Sequence, residues 1–327
     1  WDKWETINYA MNESPVDETR AINSEDNPLA FQDFEDFLKN CNDHYWNHHL
    51  YLRIIKHVNK NINIINIKQN LNSKTYNPSF KYSLLDKALS YLSKNNSIIL
   101  KQTGFEKRKL IKLFLKLRQV PTLHKELDKK FAKRKLNRSK LGFNINPKND
   151  FESFFEKIFI DLLPHSYIEN YNEALQEVKK IKLNPKIIFT SYSHTVNDFF
   201  KIWVAEKTLD KVKYIVSDHG PNIDDDQKRN FNARRNFADL YTTWKRPYDL
   251  KMEISPTPGI YFEKINKQKK NSNKILLLGG RTILYPYKMQ TGPIAGQMLK
   301  TFSFWQEFYS SLPEEKKNYF KLRPHPK

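Results

Sequence analysis

The sequence contains a single cysteine, Cys41, in 327 residues. This count excludes an internal disulfide framework and is typical of a protein from a reducing compartment, so we expect a cytoplasmic location. No apolar run approaches the roughly 20 residues of a membrane-spanning helix. The G-x-G-x-x-G, P-loop and G-x-S-x-G motifs are also absent. The sequence therefore lacks the usual signatures of dinucleotide binding, P-loop nucleotide binding and serine hydrolysis.

Acidic residues are in the minority: 36 Asp and Glu accompany 56 Lys and Arg, for a formal net charge of +20. The excess is local, because residues 101–140 have a net charge of +12 and residues 1–45 of −8. A basic balance is typical of nucleic-acid binding. However, abundant Lys, Asn and Ile are what an AT-rich coding sequence produces, and zinc-finger spacing and RNA-binding strand motifs are absent. We therefore do not expect nucleic acid as a partner.

Residues 105–118, FEKRKLIKLFLKLR, form a basic amphipathic pattern. Leu110, Leu113, Phe114 and Leu117 share one helical face, and Lys and Arg occupy the remainder. The pattern predicts a packed helix with a solvated charged face. Alternatively, it predicts a surface that meets anionic lipid head groups or a phosphate-bearing acceptor, which would place the protein peripherally at the inner face of the membrane.

The first half of the chain combines irregular and helical patterns. Residues 1–30 are acidic and lack a period, so we interpret them as a loose surface segment or linker. Apolar spacing predicts one helix over residues 31–58 and another over 83–93, followed by a short strand in SIILK. Residues 61–80 are Asn-rich and irregular apart from the apolar INIINI.

From Pro185 the pattern alternates between strands and helices. KIIFTS, KYIVSD and ADLYTTW predict buried strands, and residues 195–209 predict a helix that begins at a Thr195 cap. Strand, helix and strand at this spacing indicate a βαβ unit and hence a parallel sheet.

A second α/β unit follows a Pro-rich and polar break. KILLLGG and YFKLRPHP predict its strands, and the segment between them contains a helix. We expect an acceptor-side domain over residues 1–250, a linker over 251–273, and the start of a nucleotide-sugar domain over 274–327. We interpret the sequence as a fragment whose second domain is truncated. The predicted fold is α/β, with two Rossmann-like domains that face each other across a cleft (GT-B type).

Four predicted strands end in residues that suit a binding site. Ligands of open parallel sheets bind outside the carboxyl ends of the strands, and all four ends would face one cleft in the predicted fold. The residues are Ser191, Ser193 and His194; Asp218, His219 and Gly220; Gly279, Gly280 and Arg281; and Arg323 with His325.

The first two strand ends predict the acid–base chemistry and the acceptor side. Group transfer needs a base for the acceptor hydroxyl and donors for the leaving phosphate. Asp218 or His219 is the candidate base, and Gly220 lets the backbone turn sharply beside a substrate. Ser191, Ser193 and His194 would lie on the acceptor side. The alternative is structural: these residues would close turns and cap helices.

The last two strand ends predict contacts to the donor nucleotide. Arg323 would form charge-assisted bonds to a phosphate. Gly279, Gly280 and Arg281 would expose backbone N–H groups, although a lone pair of glycines is weak evidence. His325 has a structural alternative as a plain strand-end residue.

Two clusters raise the possibility of a metal. Asp224, Asp225 and Asp226 contain a D-x-D pattern, but Lys228 and Arg229 follow, so a helix N-terminus explains them better. His44 and His48 have zinc-ligand spacing, yet a third ligand is missing from the pattern. We therefore expect no metal and no cofactor.

Residues 187–244 resemble a family of transferases found in O-antigen and surface-carbohydrate gene clusters. The matching residues are the W-x-A-E-K core at Trp203–Lys207, the H-G pair at His219–Gly220, and Thr243-Trp244-Lys245. Asp218 and Pro221 replace the Gln and second Gly of the family pattern. The H-G pair and the H-P pair at His325 also resemble transferases with CMP- or CDP-activated donors. This resemblance implies that His325 contacts the donor phosphate.

The sequence thus predicts a metal-independent glycosyltransferase of bacterial surface-polysaccharide biosynthesis. It would move a sugar from a nucleotide-activated, CMP-linked donor to a surface polysaccharide or a lipid-linked acceptor. One alternative is a polyol phosphotransferase that uses CDP-glycerol or CDP-ribitol. The other is a non-catalytic basic module that binds an anionic polymer or a membrane surface.

Overall fold

The computed structural model describes residues 1–14, 16–22, 29–67, 83–131, 138, 141–217, 236–243, 253–254, 274–279, 285 and 297–323. Its helices are α1 (Asp2–Glu13), α2 (Phe34–Asn40), α3 (His44–Val58), α4 (Leu84–Leu92), α5 (Lys107–Lys116), α6 (Asp150–Leu162), α7 (Tyr171–Lys179), α8 (Ser193–Val196), α9 (Asp198–Leu209), α10 (Gln297–Ser311) and α11 (Glu314–Lys317). Its strands are β1 (Glu18–Ile22), β2 (Asn63–Ile67), β3 (Ile98–Lys101), β4 (Ile187–Thr190), β5 (Lys213–Ser217), β6 (Leu240–Thr242), β7 (Glu253–Ile254), β8 (Ile275–Leu278) and β9 (Phe320–Arg323).

The chain divides into two compact units. The first comprises Trp1–Glu25, Lys39–Leu71 and Lys264–Lys327, and the second comprises Asp26–Leu38 and Asn72–Glu263. The predicted division into an acceptor and a donor domain stays a prediction.

Within the described residues, none of the helices is long and apolar enough to cross a membrane.

Residues 1–14 and 16–22 contain a helix and a strand, so the interpretation of this part of the chain as a loose segment was wrong. Strand β1 pairs in parallel with β2, which itself lies in a segment predicted to be largely irregular. Helix α1 packs on α3, where Trp4 is buried and the Lys3 ammonium lies 6.0 Å from the Trp46 ring centroid. A few buried side chains thus order a segment whose overall composition is acidic.

The single helix predicted over residues 31–58 is two helices, α2 and α3. The chain breaks at Cys41–Asp43, where Asp43 caps α3 by accepting a hydrogen bond from the Tyr45 N–H at 2.8 Å. The Asn47 side chain holds the turn by donating to the Cys41 carbonyl at 2.9 Å. Apolar spacing that continues through Cys41–Asp43 in the sequence concealed this cap.

The first unit also contains the parallel pair β8–β9. The register aligns Ile275 with Phe320 and Leu278 with Arg323, so the two strands end side by side. The strands predicted from KILLLGG and YFKLRPHP are confirmed, and α10 lies between them in the chain.

The second unit is built on a five-stranded sheet with the order β3-β4-β5-β6-β7. Every neighbouring pair is parallel, which confirms the predicted βαβ unit and the α/β class with parallel sheets. One face packs on α7 and α9 through a core that includes Ile99, Ile188, Trp203 and Val216, all fully buried. Trp203 is therefore a core residue. Because the strands are parallel, their carboxyl ends share one edge of the sheet.

The other described packing against β3 comes from α5. Leu110 and Phe114 are buried against Leu100, and Leu113 and Leu117 are partly buried beside them. The predicted apolar stripe of this helix is confirmed.

Two details of the second unit differ from expectation. Helix α9 begins at Asn197, whose side chain accepts from the Phe200 N–H at 2.9 Å, whereas the predicted cap Thr195 lies in α8. Asn is at least as good a cap as Thr, and here it follows the sharp turn after β4. Strand β7 falls inside the segment predicted as a linker and extends the sheet beside β6.

Candidate active site

The carboxyl edge of the five-stranded sheet is lined by small polar residues. The register pairs Lys101 with Thr190 and Thr190 with Val216, so the residues that follow each strand form the next row of the sheet. That row and the turns beyond it contain buried hydroxyl groups instead of apolar side chains. They belong to Thr103, Ser191, Ser193, Ser217, Thr242 and Thr243.

Gln102 accepts hydrogen bonds from two of the hydroxyl groups at this edge. The Ser191 hydroxyl donates to the Gln102 carbonyl at 2.7 Å, and the Ser193 hydroxyl donates to the Gln102 side-chain oxygen at 2.9 Å. The Thr190 hydroxyl accepts from the Ser193 N–H at 3.0 Å and closes the turn. The two predicted acceptor-side serines therefore lie together and hold the same residue.

Gln102 itself was missed by sequence reasoning. Its φ of 45° lies in the left-handed region, which side chains other than glycine rarely adopt, and Gly104 two residues later has a φ of 77°. Such backbone conformations concentrate at functional sites. The available signal was Q-T-G directly after the strand SIILK, at the same position that drew attention to the other strand ends.

His194 lies at the same edge, in the short helix α8 that leads from β4 to α9. Its ring centroid is 6.1 Å from that of Phe237, which in turn stacks on Tyr214 at 6.1 Å. Buried Ser217 ends β5 and is the last described residue before the candidate acid–base segment. Asp218, His219 and Gly220 lie outside the described residues, as do Asp224 to Asp226, so their roles stay predictions.

A buried ion pair lies next to this edge, at the last residue of β3. Lys101, the last residue of β3, is 3% exposed, and its ammonium donates to the Asp128 carboxylate at 2.7 Å. It also donates to the carbonyls of Leu123 and His124 at 3.0 and 2.8 Å. Asp128 further accepts from the Asn197 side chain at 2.8 Å. Burial lowers the pKa of Lys101, and the charge of Asp128 partly offsets that effect.

The network joins the end of β3 to the start of α9, because Asn197 is also the cap of that helix. Gln102 directly follows Lys101 in the chain. The ion pair therefore fixes the backbone from which Gln102 projects.

His124 and Glu126 form a buried pair beside this network. His124 is fully buried with a φ of 48°, and its Nδ1 lies 3.1 Å from a Glu126 carboxylate oxygen. Burial is the largest single influence and by itself would raise the pKa of the Glu126 carboxyl, but the hydrogen bond and charge of His124, a backbone hydrogen bond and the charge of Lys101 together lower it. Among the described residues, Nε2 of His124 has no hydrogen-bond partner. Nothing in the local sequence pattern indicated this pair.

A separate polar cluster around Asp198 is structural. Its carboxylate accepts from the Phe34 N–H, the Ser166 hydroxyl, the Tyr167 hydroxyl and the Lys201 ammonium at 2.7 to 2.9 Å. The cavity beside it measures about 20 Å³, which is room for about one water molecule. Small-molecule sites are at least ten times larger, so this cluster anchors the chain at Phe34 and is not a nucleotide-sugar site.

The other predicted strand ends lie in the first unit. The Gly279 N–H donates to the Arg323 carbonyl at 2.8 Å, so this N–H is engaged in the β8–β9 pair. Any backbone contact to a phosphate from this loop would have to come from the residues after Gly279. Gly280, Arg281 and His325 lie outside the described residues.

The histidine pair with zinc-ligand spacing forms hydrogen bonds within the first unit. His44 Nδ1 lies 2.8 Å from the Tyr285 hydroxyl, and His48 Nε2 accepts from the Ile22 N–H at 3.3 Å. In the described part of the chain, no group of three or more His, Cys, Asp or Glu residues is placed to hold a metal ion.

Comparison with known proteins identifies the family. The family model described as LIC12162 family transferase matches residues 1–327, the whole chain. The chain belongs to the LIC12162 transferase family. No curated protein and no solved structure matches it.

Family membership gives the reaction class of the protein, which is group transfer. A member of a transferase family needs a site that binds a donor and an acceptor, and open parallel sheets bind ligands at their carboxyl edge. Gln102, Ser191 and Ser193 meet at that edge in the second unit. Ser191 and Ser193 are buried and hold Gln102, which is exposed, so Gln102 is the member of this group that is open to a substrate.

Proposed function

We propose that this family member is a glycosyltransferase that moves a sugar from a nucleotide-activated donor to a surface polysaccharide or its lipid-linked precursor. The observation that carries the proposal is the neutral, hydroxyl-rich edge formed by Gln102, Ser191 and Ser193. Hydroxyl and amide groups exchange hydrogen bonds with sugar hydroxyls in either direction, which suits an acceptor glycan.

The acid–base segment completes this site in the proposal. His219 lies two residues beyond Ser217 in the chain, directly after the carboxyl end of β5. It would take the proton of the acceptor hydroxyl as that oxygen bonds to the anomeric carbon. As this bond forms, the bond between the anomeric carbon and the nucleotide phosphate would break, and its electron pair would leave with the phosphate. Asp218 would orient and charge-stabilise the imidazole.

The donor side of the proposal lies at the ends of β8 and β9. Arg323 ends β9, and His325 follows it by two residues. Cationic side chains there, rather than a metal, would neutralise the leaving phosphate. A cytidine nucleotide is the preferred donor because of the resemblance of the H-G and H-P pairs. The proposed enzyme is of the GT-B type, with an acceptor-side domain over residues 1–250 and a donor domain that begins at residue 274.

Donor binding tests the assignment. In a thermal-shift panel of CMP, CDP and UDP, we expect the full chain to respond to one nucleotide. His325→Ala should abolish the shift, whereas His219→Ala should retain it. Lys321→Ala removes an exposed charge from the same strand as Arg323 and is the matched control. Equal loss of binding from both histidine variants would contradict the assigned roles, and a response to none of the nucleotides would contradict the transferase donor.

Turnover and polyanion-binding measurements separate the alternatives. Release of CMP from CDP-glycerol or CDP-ribitol, with no transfer from a nucleotide sugar, would indicate a polyol phosphotransferase. Binding to polyphosphate with a steep salt dependence and to no nucleotide would indicate a basic binding module.

A further inference from the structure

Helix α4 presents its apolar face to solvent. Leu84 is 83% exposed, Leu85 67%, Tyr91 68% and Leu92 60%, and the helix has no buried residue. Helical spacing places these four side chains on one face. On the opposite side, Asp86 binds the Lys125 ammonium at 3.0 Å. The helix is thus anchored through its polar side, the reverse of an ordinary packed amphipathic helix.

Helix α5 has a second apolar strip besides the one that packs on β3. Ile111 is 47% exposed and Leu115 is 61% exposed, although Leu110 and Phe114 on the inner side are buried. Residues 105–118 contribute six Lys and Arg side chains and one carboxylate, so cationic groups surround this outer strip.

The two helices flank the same strand along the chain. Helix α4 precedes and α5 follows β3, which is the terminal strand in the described sheet order. Asn96 and Val120 join the segments that leave the two helices: the Asn96 side chain donates to the Val120 carbonyl at 2.9 Å and accepts from its N–H at 3.1 Å. The segment that follows α4 and the segment that follows α5 are therefore joined beside β3.

We propose that α4 and α5 form a membrane-docking surface that binds an anionic phospholipid bilayer. Its apolar side chains would enter the boundary between head groups and acyl chains, and its cationic side chains would meet the phosphates. Charge complementarity selects this occupant. A nucleic acid would match the lysines but would gain nothing from four exposed apolar side chains on α4, and a second copy of the surface would carry the same repelling charge.

The docking surface adjoins the candidate active site along the chain. Gln102 follows β3 directly and leads toward α5, so a docked protein would hold this end of the sheet near the bilayer. A lipid-linked acceptor would then be presented where the proposed reaction needs it. Membrane binding itself requires neither donor nor acceptor, so its measurement can fail or succeed independently of the proposed glycosyl transfer.

Co-sedimentation of the full chain with vesicles tests the proposal. We expect binding to phosphatidylcholine vesicles that contain phosphatidylglycerol, weaker binding to phosphatidylcholine alone, and loss of binding in high salt. Arg108→Gln with Lys112→Gln should weaken binding about 30-fold, since each cationic side chain near an anionic surface changes affinity about five-fold. Leu85→Ser with Leu92→Ser should weaken it at least about 10-fold.

Matched controls lie elsewhere on the second unit. Lys186→Gln with Lys213→Gln removes two exposed charges at the amino ends of β4 and β5, and Leu209→Ser removes a side chain that is 78% exposed at the end of α9. Both should bind vesicles like the wild type. Circular dichroism would confirm that every variant is folded, as expected for exposed positions.

Three outcomes would overturn the proposal. The first is that wild-type protein remains in the supernatant with phosphatidylglycerol vesicles. The second is that the control variants weaken binding as much as the α4 and α5 variants. The third is that Leu85→Ser with Leu92→Ser leaves vesicle binding intact but abolishes a concentration-dependent self-association, which would assign α4 to a protein interface.

Discussion

Lys101→Met should destabilise the second unit, because it removes the cationic member of a buried ion pair next to the candidate active site. The side chain of Lys101 is 4% exposed and that of its partner Asp128 is 32% exposed. Removing one member of a fully buried ion pair costs about 3–5 kcal/mol. Water can reach part of the unpaired Asp128 carboxylate, so we expect a loss at the lower end of this range, about 3 kcal/mol. Two carbonyls that accept from Lys101 also lose their donor.

Urea unfolding followed by far-ultraviolet circular dichroism measures this loss. With a slope of about 2 kcal/mol per molar urea, the midpoint should fall by about 1.5 M. Lys101→Met with Asp128→Asn removes both charges, so the double variant should be at least as stable as Lys101→Met alone. A loss below about 1 kcal/mol for Lys101→Met would refute the reasoning. Strict additivity of the two substitutions would refute it as well, because directly paired groups must be coupled.

Three further predictions concern stability. Asn197→Ala should lower the free energy of unfolding in urea by about 1–2 kcal/mol, because α9 loses its cap. Thr195→Ala should lower it by under about 0.5 kcal/mol. The reverse order would identify Thr195 as the cap. Burial, with the nearby charges of His48 and Arg53, lowers the pKa of His49 to about 4. The unfolded chain therefore takes up a proton at His49 near pH 6.5, whereas the folded chain does not. The free energy of unfolding should fall by about 3 kcal/mol between pH 6.5 and 4. A His49→Gln variant that keeps this full pH dependence would contradict the assignment. Arg138→Met should lower the free energy of unfolding by about 3–5 kcal/mol. The side chain of Glu169 is 1% exposed and would lose both of its 2.7 Å hydrogen bonds to the guanidinium. An unchanged urea midpoint would show that the pair contributes nothing.

Local patterns predicted much of the second unit. The runs KIIFTS and KYIVSD became β4 and β5, and the apolar stripe at Phe199, Phe200 and Trp203 became the buried face of α9. These elements are specified by short-range periodicity, and parallel pairing follows from their spacing. Ser191 and Ser193 could also be predicted, because a position directly after a buried parallel strand is enough to identify them as site candidates.

Long-range contacts explain what the sequence did not predict. Strand β1 depends on β2, about 45 residues away, and its own residues show little alternation. Gln102 becomes a candidate site residue only through its hydrogen bonds with Ser191 and Ser193, which lie 89 and 91 positions away. The burial of Lys101 follows from a loop that folds over the end of β3, and composition alone places lysine at the surface.

Turnover tests the central claim most directly. The assay would follow nucleotide release from a panel of CMP-, CDP- and UDP-sugars in the presence of a lipid-linked acceptor. We expect release from one donor class, a decrease of at least about 100-fold for His219→Ala, and a clear decrease for Gln102→Ala. Lys186→Ala, at the opposite edge of the sheet, should retain wild-type turnover. Undiminished turnover of both His219→Ala and Gln102→Ala would contradict a transferase site at the carboxyl edge of the five-stranded sheet.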